Sequence, residues 1–106
     1  MSPYESGELT DSIFLILLAT LEPIHGYRIM QVIADMTSGS VQIGPATMYT
    51  TLRKLSDAGW IEEVREDDSK ILYRITTSGD NILRADVARR RMIMTIVETT
   101  LGEKED

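Results

Sequence analysis

The chain predicts an α+β fold, mainly α with a small β-wing: a winged helix-turn-helix followed by a long C-terminal helix. Three stretches carry that prediction. The run Gly44 to Arg65, GPATMYTTLRKLSDAGWIEEVR, opens as a helix at Gly44-Pro45, with Met48, Leu52 and Leu55 on one side and Tyr49, Thr50, Arg53 and Lys54 on the other. Two short strands follow, joined by an acidic turn, and Ile71, Tyr73 and Ile75 alternate onto one face of the second. Beyond Asp80, Leu83, Val87, Arg90, Met94, Val97 and Leu101 recur at alternating spacings of four and three, a heptad-like seam.

Taken in order, residues 1 to 8 are polar and read as a frayed end. Thr10, Asp11 and Ser12 supply an N-cap and a first-turn acid for a helix reaching about Leu21, ended by Pro23. Its centre, IFLILLA, is apolar all round, so it needs cover on more than one side, and a second subunit is the simplest source. His25-Gly26 begins a second helix, Tyr27 to about Met36, with Ile29, Met30, Ile33 and Ala34 inward and Arg28, Gln31 and Asp35 outward. Thr37-Ser38-Gly39-Ser40 is a loop. Pro45 suits the first turn of the third helix, which ends at Ala58-Gly59; Gly44 and Gly59 are expected to allow its tight beginning and exit. Trp60-Ile61 and Val64 begin the first strand, with Trp60 expected in the core. Glu66-Asp67-Asp68-Ser69 turns, and the second strand runs from Ile71 to Thr76. Thr77 or Ser78 caps the last helix, from Gly79 or Asp80 to about Leu101, stopped by Gly102. The domain division expected is 1–79 for the winged helix-turn-helix and 80–106 for a C-terminal dimerisation helix with a short acidic tail.

Composition bounds the function. At 106 residues, 42% of them hydrophobic and 26% charged, the chain has room for one core and an extra helix. With no cysteine and a single histidine, His25, no disulfide framework and no metal site or other cofactor is expected. The longest apolar run, Ile13 to Ala19, falls well short of the ~20 residues of a membrane span. It is preceded by Glu5, Glu8 and Asp11 rather than by positive charge, so no membrane association and a cytoplasmic location are expected. Paired carboxylates at useful spacing, a nucleophile–base pair and a phosphate loop are all missing, so an enzyme is not expected. The net charge of −6 runs against nucleic-acid binding, which usually draws on basic surface. The acids sit elsewhere, however: Glu62, Glu63, Glu66, Asp67, Asp68, Asp80 and Asp86 from the first strand onward, and Glu5, Glu8, Glu103, Glu105 and Asp106 near the ends. The third helix carries Arg53 and Lys54 against Asp57 alone.

From Leu9 to about Leu101 the sequence resembles the PadR family of bacterial and archaeal regulators in its short-tailed form. The resemblance rests on His25-Gly26-Tyr27, on Gly44-Pro45-Ala46-Thr47-Met48-Tyr49, on Leu52-Arg53-Lys54-Leu55, on Gly59-Trp60-Ile61 and on Tyr73-Arg74-Ile75-Thr76 with Gly79, in that order and spacing. It implies a homodimeric winged-helix repressor acting on a double-stranded DNA operator, paired through its C-terminal helix. In some members it also implies a small-molecule pocket, hence an unidentified effector. Two departures stand out. Thr50 occupies the position after the tyrosine where proline is common, and the wing reads Glu66-Asp67-Asp68-Ser69-Lys70 where arginine, lysine and glycine are frequent.

The residues expected to meet DNA are Tyr49 first, then Thr47 and Thr50, which could bond phosphate or touch thymine methyls, then Arg53 and Lys54 one turn on, with Lys70 and Arg28 as outlying phosphate contacts. The plain alternatives are a Tyr49 ring packed against the wing and a solvated face for Lys54. His25 is expected to make a local capping or packing contact. Phe14, Leu17, Leu18, Leu83, Val87, Met94, Val97 and Leu101 are the expected dimer interface. Met92 and Met94 suit interface packing or an adaptable cavity, and Arg89-Arg90-Arg91 is expected to bridge to acids of a partner subunit, with binding of DNA or an anionic effector as the alternative. The competing reading is a winged-helix protein-interaction module that has lost DNA binding.

Overall fold

A computed structural model of the chain describes residues 8–67 and 70–105. The expectations for residues 1–7, for Asp68 and Ser69 of the turn and for Asp106 lie outside the described residues. The elements run α1 (Asp11–Ala19), α2 (Gly26–Met36), α3 (Pro45–Asp57), β1 (Ile61–Asp67), β2 (Lys70–Ile75) and α4 (Thr77–Glu105). Among the described residues this is the expected α+β winged-helix arrangement, four helices and one antiparallel hairpin in which Ile61 faces Ile75 and Glu63 faces Tyr73. Among the described residues, no helix is long and apolar enough to cross a membrane.

The apolar side of each helix feeds one core. Ile13, Ile16 and Leu17 of α1, Ile29 and Ile33 of α2, Met48, Leu52 and Leu55 of α3, Trp60 and Ile61 at the start of the wing, and Leu83 of α4 are all buried. α1 begins as its sequence predicts, with the Thr10 hydroxyl accepting from the Ile13 amide at 3.2 Å. It stops at Ala19, short of the expected Leu21. The buried Thr20 donates its hydroxyl to the Leu17 carbonyl at 2.8 Å, while its own carbonyl accepts the Ile75 amide at 2.8 Å, so the chain leaves the helix to meet the wing. The all-round apolar α1 is covered on two sides from within the protomer, by α2 and by α4, and Leu18 is the large side chain it leaves exposed.

The segment after α1 adds a bridge that the sequence pattern did not announce. Ile24 and Tyr73 exchange both backbone hydrogen bonds, at 3.0 and 2.8 Å, which ties the start of α2 to the edge of β2. His25, directly after it, makes no side-chain cap. Its Nδ1 lies 3.3 Å from the Ile71 carbonyl oxygen, so the expected local contact is instead a reach to the wing.

Three further expectations change at helix ends. Gly44 has φ of −74° and open space where a Cβ would stand, so nothing there requires glycine. Gly59, at φ +79°, does need it, because that left-handed conformation is costly for a side chain. The cap of α4 is Thr76, earlier than Thr77 or Ser78: its hydroxyl accepts from the Gly79 amide at 3.1 Å and donates to the Gly59 carbonyl at 2.7 Å. α4 also runs through Gly102 rather than ending there, since one glycine inside a helix costs only about 1 kcal/mol.

Candidate nucleic-acid interface

α3 is seated by its apolar side, with Met48 and Leu55 fully buried and Leu52 nearly so, and that seating decides which side chains reach water. Thr47, Tyr49, Thr50, Arg53 and Lys54 are all exposed on the opposite side. The structure divides them into two flanks. Thr47, Thr50 and Lys54, with Ala46 and Thr51, line a shallow open hollow of about 260 Å³. Tyr49 and Arg53 line a second of about 250 Å³ on the side of the wing, shared with Ser56, Asp57, Glu63 and Tyr73. The first flank offers three hydroxyls and an ammonium. The second offers a phenol and a guanidinium with two carboxylates at their side.

Arg28 is exposed on α2 and donates to the Gln31 side chain at 3.0 Å, and Lys70 is exposed at the distal end of the wing, opposite Asp67 in the ladder. Neither lines the two α3 hollows, so these outlying residues are not gathered into the α3 surface. Arg74 is engaged by Glu62 in an exposed ion pair at 2.7 Å, which leaves less free positive charge on that hairpin.

Tyr73 and Gly26 belong to this surface and were not legible as site residues. Tyr73 read only as part of the alternating inner face of β2, yet it is half-buried beside Tyr49. Its phenol is pushed above the ordinary value, first by burial and then by the nearby Glu63 carboxylate and Tyr49. Gly26 lies under the Tyr49 ring, close enough that a Cβ would stand 2.8 Å from Cε1. The available signal was that both residues fall in the motifs His25-Gly26-Tyr27 and Tyr73-Arg74-Ile75-Thr76, which gave no role to either.

The expected pairing surface is also sorted by the fold. Leu17 is fully buried and Leu83 is 3% exposed, both inside the protomer's own core, so neither has surface left for a partner. Phe14 and Val87 are half-buried, while Leu18, Met94, Val97 and Leu101 are exposed, as are Met92, Ile93 and Ile96. The arginine cluster corrects another expectation. Arg89 and Arg90 donate to Asp86 at 2.8 and 2.6 Å, and Arg90 also reaches Asp11 and the Leu9 carbonyl, so these bridges are to acids of the same protomer. The Arg90 guanidinium lies 4.2 Å from the Phe14 ring centre. Phe14, Val87, Arg90, Arg91, Met94, Thr95 and Glu98 border an open apolar hollow of about 490 Å³. Among the described residues, no three His, Cys, Asp or Glu side chains gather as a metal site would need.

Residues 14–85 match the Transcriptional regulator PadR-like family. Among solved structures, a PadR family transcriptional regulator from Eggerthella lenta is similar at 25% identity and a TM-score of 0.72, covering 85% of this chain and 80% of that one. A transcriptional regulator from Clostridium thermocellum superposes at 19% identity and a TM-score of 0.70, over 92% and 97% of the two chains. A PadR family regulator from Clostridium difficile does so at 20% and 0.67, over 85% and 98%. The last two carry the fold alone. No curated protein matches the chain.

Proposed function

The chain belongs to the PadR-like family of transcriptional regulators, and from that premise we propose that it is a homodimeric repressor that reads a short inverted repeat in duplex DNA. The observation that carries this reading is α3, whose apolar back is locked into the core while Thr47, Tyr49, Thr50, Arg53 and Lys54 stand on the two flanks of its exposed front. Hydroxyls, a phenol and two cations are the groups that bond phosphates and base edges. Residues 1–79 serve as the DNA-reading unit and 80–106 as the dimerisation helix with a short acidic tail. Pairing uses the exposed Ile93, Met94, Val97 and Leu101 on one side of α4 together with Leu18 and Phe14 of α1. On this reading the two α3 helices enter successive major grooves, about 34–36 Å apart. Lys70 and Arg28 add phosphate contacts from the periphery. The hollow beside Phe14 and Met94 is the seat for an unidentified small-molecule effector.

Fluorescence anisotropy with the gene's upstream duplex against a scrambled one, titrated across salt, tests the reading. Sequence-dependent binding is expected, with log affinity falling by about 0.9 per neutralised phosphate for each decade of salt. Tyr49→Ala and Arg53→Ala are each expected to cost about 1–3 kcal/mol of that affinity while the dimer stays intact. Full affinity in both variants refutes it. The ion-paired, acidic wing favours one other reading, a protein-interaction module, which predicts no duplex binding even at low salt and co-purification with a basic protein.

A further inference from the structure

Tyr49 is the most informative side chain of the DNA-reading front, and its ring does not hang free. Three segments meet around it. One is Gly26 at the start of α2: a Cβ there would lie 2.8 Å from Cε1, 3.0 Å from the phenol oxygen and 3.1 Å from Cζ of Tyr49. The second is Tyr73, which borders the same hollow of about 420 Å³ and is pinned through its backbone to Ile24 on both its amide and its carbonyl. The third is α3 itself. The ring is nevertheless 47% exposed, so it is held along one edge and open along the other.

Nothing in the backbone explains glycine at position 26. It is the first residue of α2 and has no left-handed φ, unlike Gly39 and Gly59, and a helix ordinarily favours alanine over glycine. What the bare Cα provides is room for the ring. We propose that Gly26 is a positioning residue for DNA recognition: the missing side chain is the seat that fixes the Tyr49 ring and so sets where its hydroxyl meets the duplex. A ring already held in place has less freedom to lose on binding, which raises affinity without any added contact. This rests on reading α3 as the recognition helix, and the test separates the two claims.

The experiment is a double-mutant cycle on operator affinity with Gly26→Ala and Tyr49→Ala, run beside thermal melts and an NMR measurement of the cross-relaxation between Gly26 Hα and the Tyr49 ring protons. Because the obstructing atoms are the far end of a half-exposed side chain, Gly26→Ala is expected to fold with the ring displaced and the Gly26–Tyr49 cross-peak of the wild type gone. Operator affinity should fall about tenfold, the worth of one ordered side chain. In the Tyr49→Ala background the same substitution should change affinity less than twofold, since no ring remains to displace. Equal losses in both backgrounds, or undiminished affinity in Gly26→Ala, overturn the proposal. Should Gly26→Ala fail to fold, recovery of folding in the double variant supports the seat and its absence overturns it. A wild-type dimer that shows the cross-peak yet binds no duplex overturns the recognition-helix reading and, with it, any role of Gly26 in recognition.

Discussion

From Thr77 to Arg90, α4 lies against its own protomer. Gly79 and Leu83 are buried, Asp86 is fully buried beneath Arg89 and Arg90, and Ile82 packs on the core. From Arg91 to Leu101 the same helix, with the same four-and-three apolar spacing, has every side chain exposed. The molecule measures 61 × 29 × 24 Å because that distal half extends away from the body. A periodic apolar stripe reports that a helix face is to be covered, and says nothing of which chain covers it.

The largest effect is expected in the docked half. A Cβ on Gly79 would overlap the Trp60 carbonyl oxygen, and backbone cannot step aside as a side chain can. Gly79→Ala should therefore destabilise the fold on the order of 3 kcal/mol, the upper range for overpacking, seen as a lower thermal midpoint by circular dichroism. An unchanged midpoint would mean that α4 is not seated as described.

Asp86 sharpens the contrast through pH. Burial raises its carboxyl pKa, but hydrogen bonds from Arg90 and Arg89, and their charges, more than offset that and hold it below its ordinary value. A folded value below the unfolded one means that the contribution is complete above the ordinary value, about 3.9. It is lost as pH falls from there through the folded value. Asp86→Asn should cost about 2–3 kcal/mol near pH 7, the worth of hydrogen bonds to a charged group. It should also flatten the acid limb of a stability–pH profile measured by urea melts. An acid limb as steep as that of the parent would assign acid unfolding to other carboxylates.

In the distal half the expectation inverts. Val97→Asp should change urea-melt stability of the isolated protomer by no more than about 0.5 kcal/mol, as exposed positions do. It should instead shift the sedimentation profile from dimer to monomer. A dimer that survives the substitution would move the pairing surface off this row.

Much of the body was legible in the residues. The inward stripes of α2 and α3, the Thr10 cap, the hairpin and the core position of Trp60 follow from local periodicity and turn chemistry, and each recurs in the structure. The exposed front of α3 was legible for the same reason, because burying Met48, Leu52 and Leu55 leaves Thr47, Tyr49, Thr50, Arg53 and Lys54 outside. The environment of that front was not. Gly26 and Tyr73 are far from Tyr49 in sequence, and the Ile24–Tyr73 bridge that gathers them is a single backbone pairing with no pattern of its own. Nor could spacing reveal that Leu17 and Leu83 face their own core, or that Arg90 reaches back to Asp11 across the fold.

The sequence by itself therefore determined what depends on neighbours along the chain: element type, which side of each helix is apolar, and which polar groups stand on the exposed front of α3, since helical and strand periods turn residue order directly into faces. Tertiary structure alone decided which of those faces meet. Leu83 and Met94 lie on one seam of one helix. They differ only in whether α1 and the core happen to lie against them, and that is set by how far the body reaches along α4.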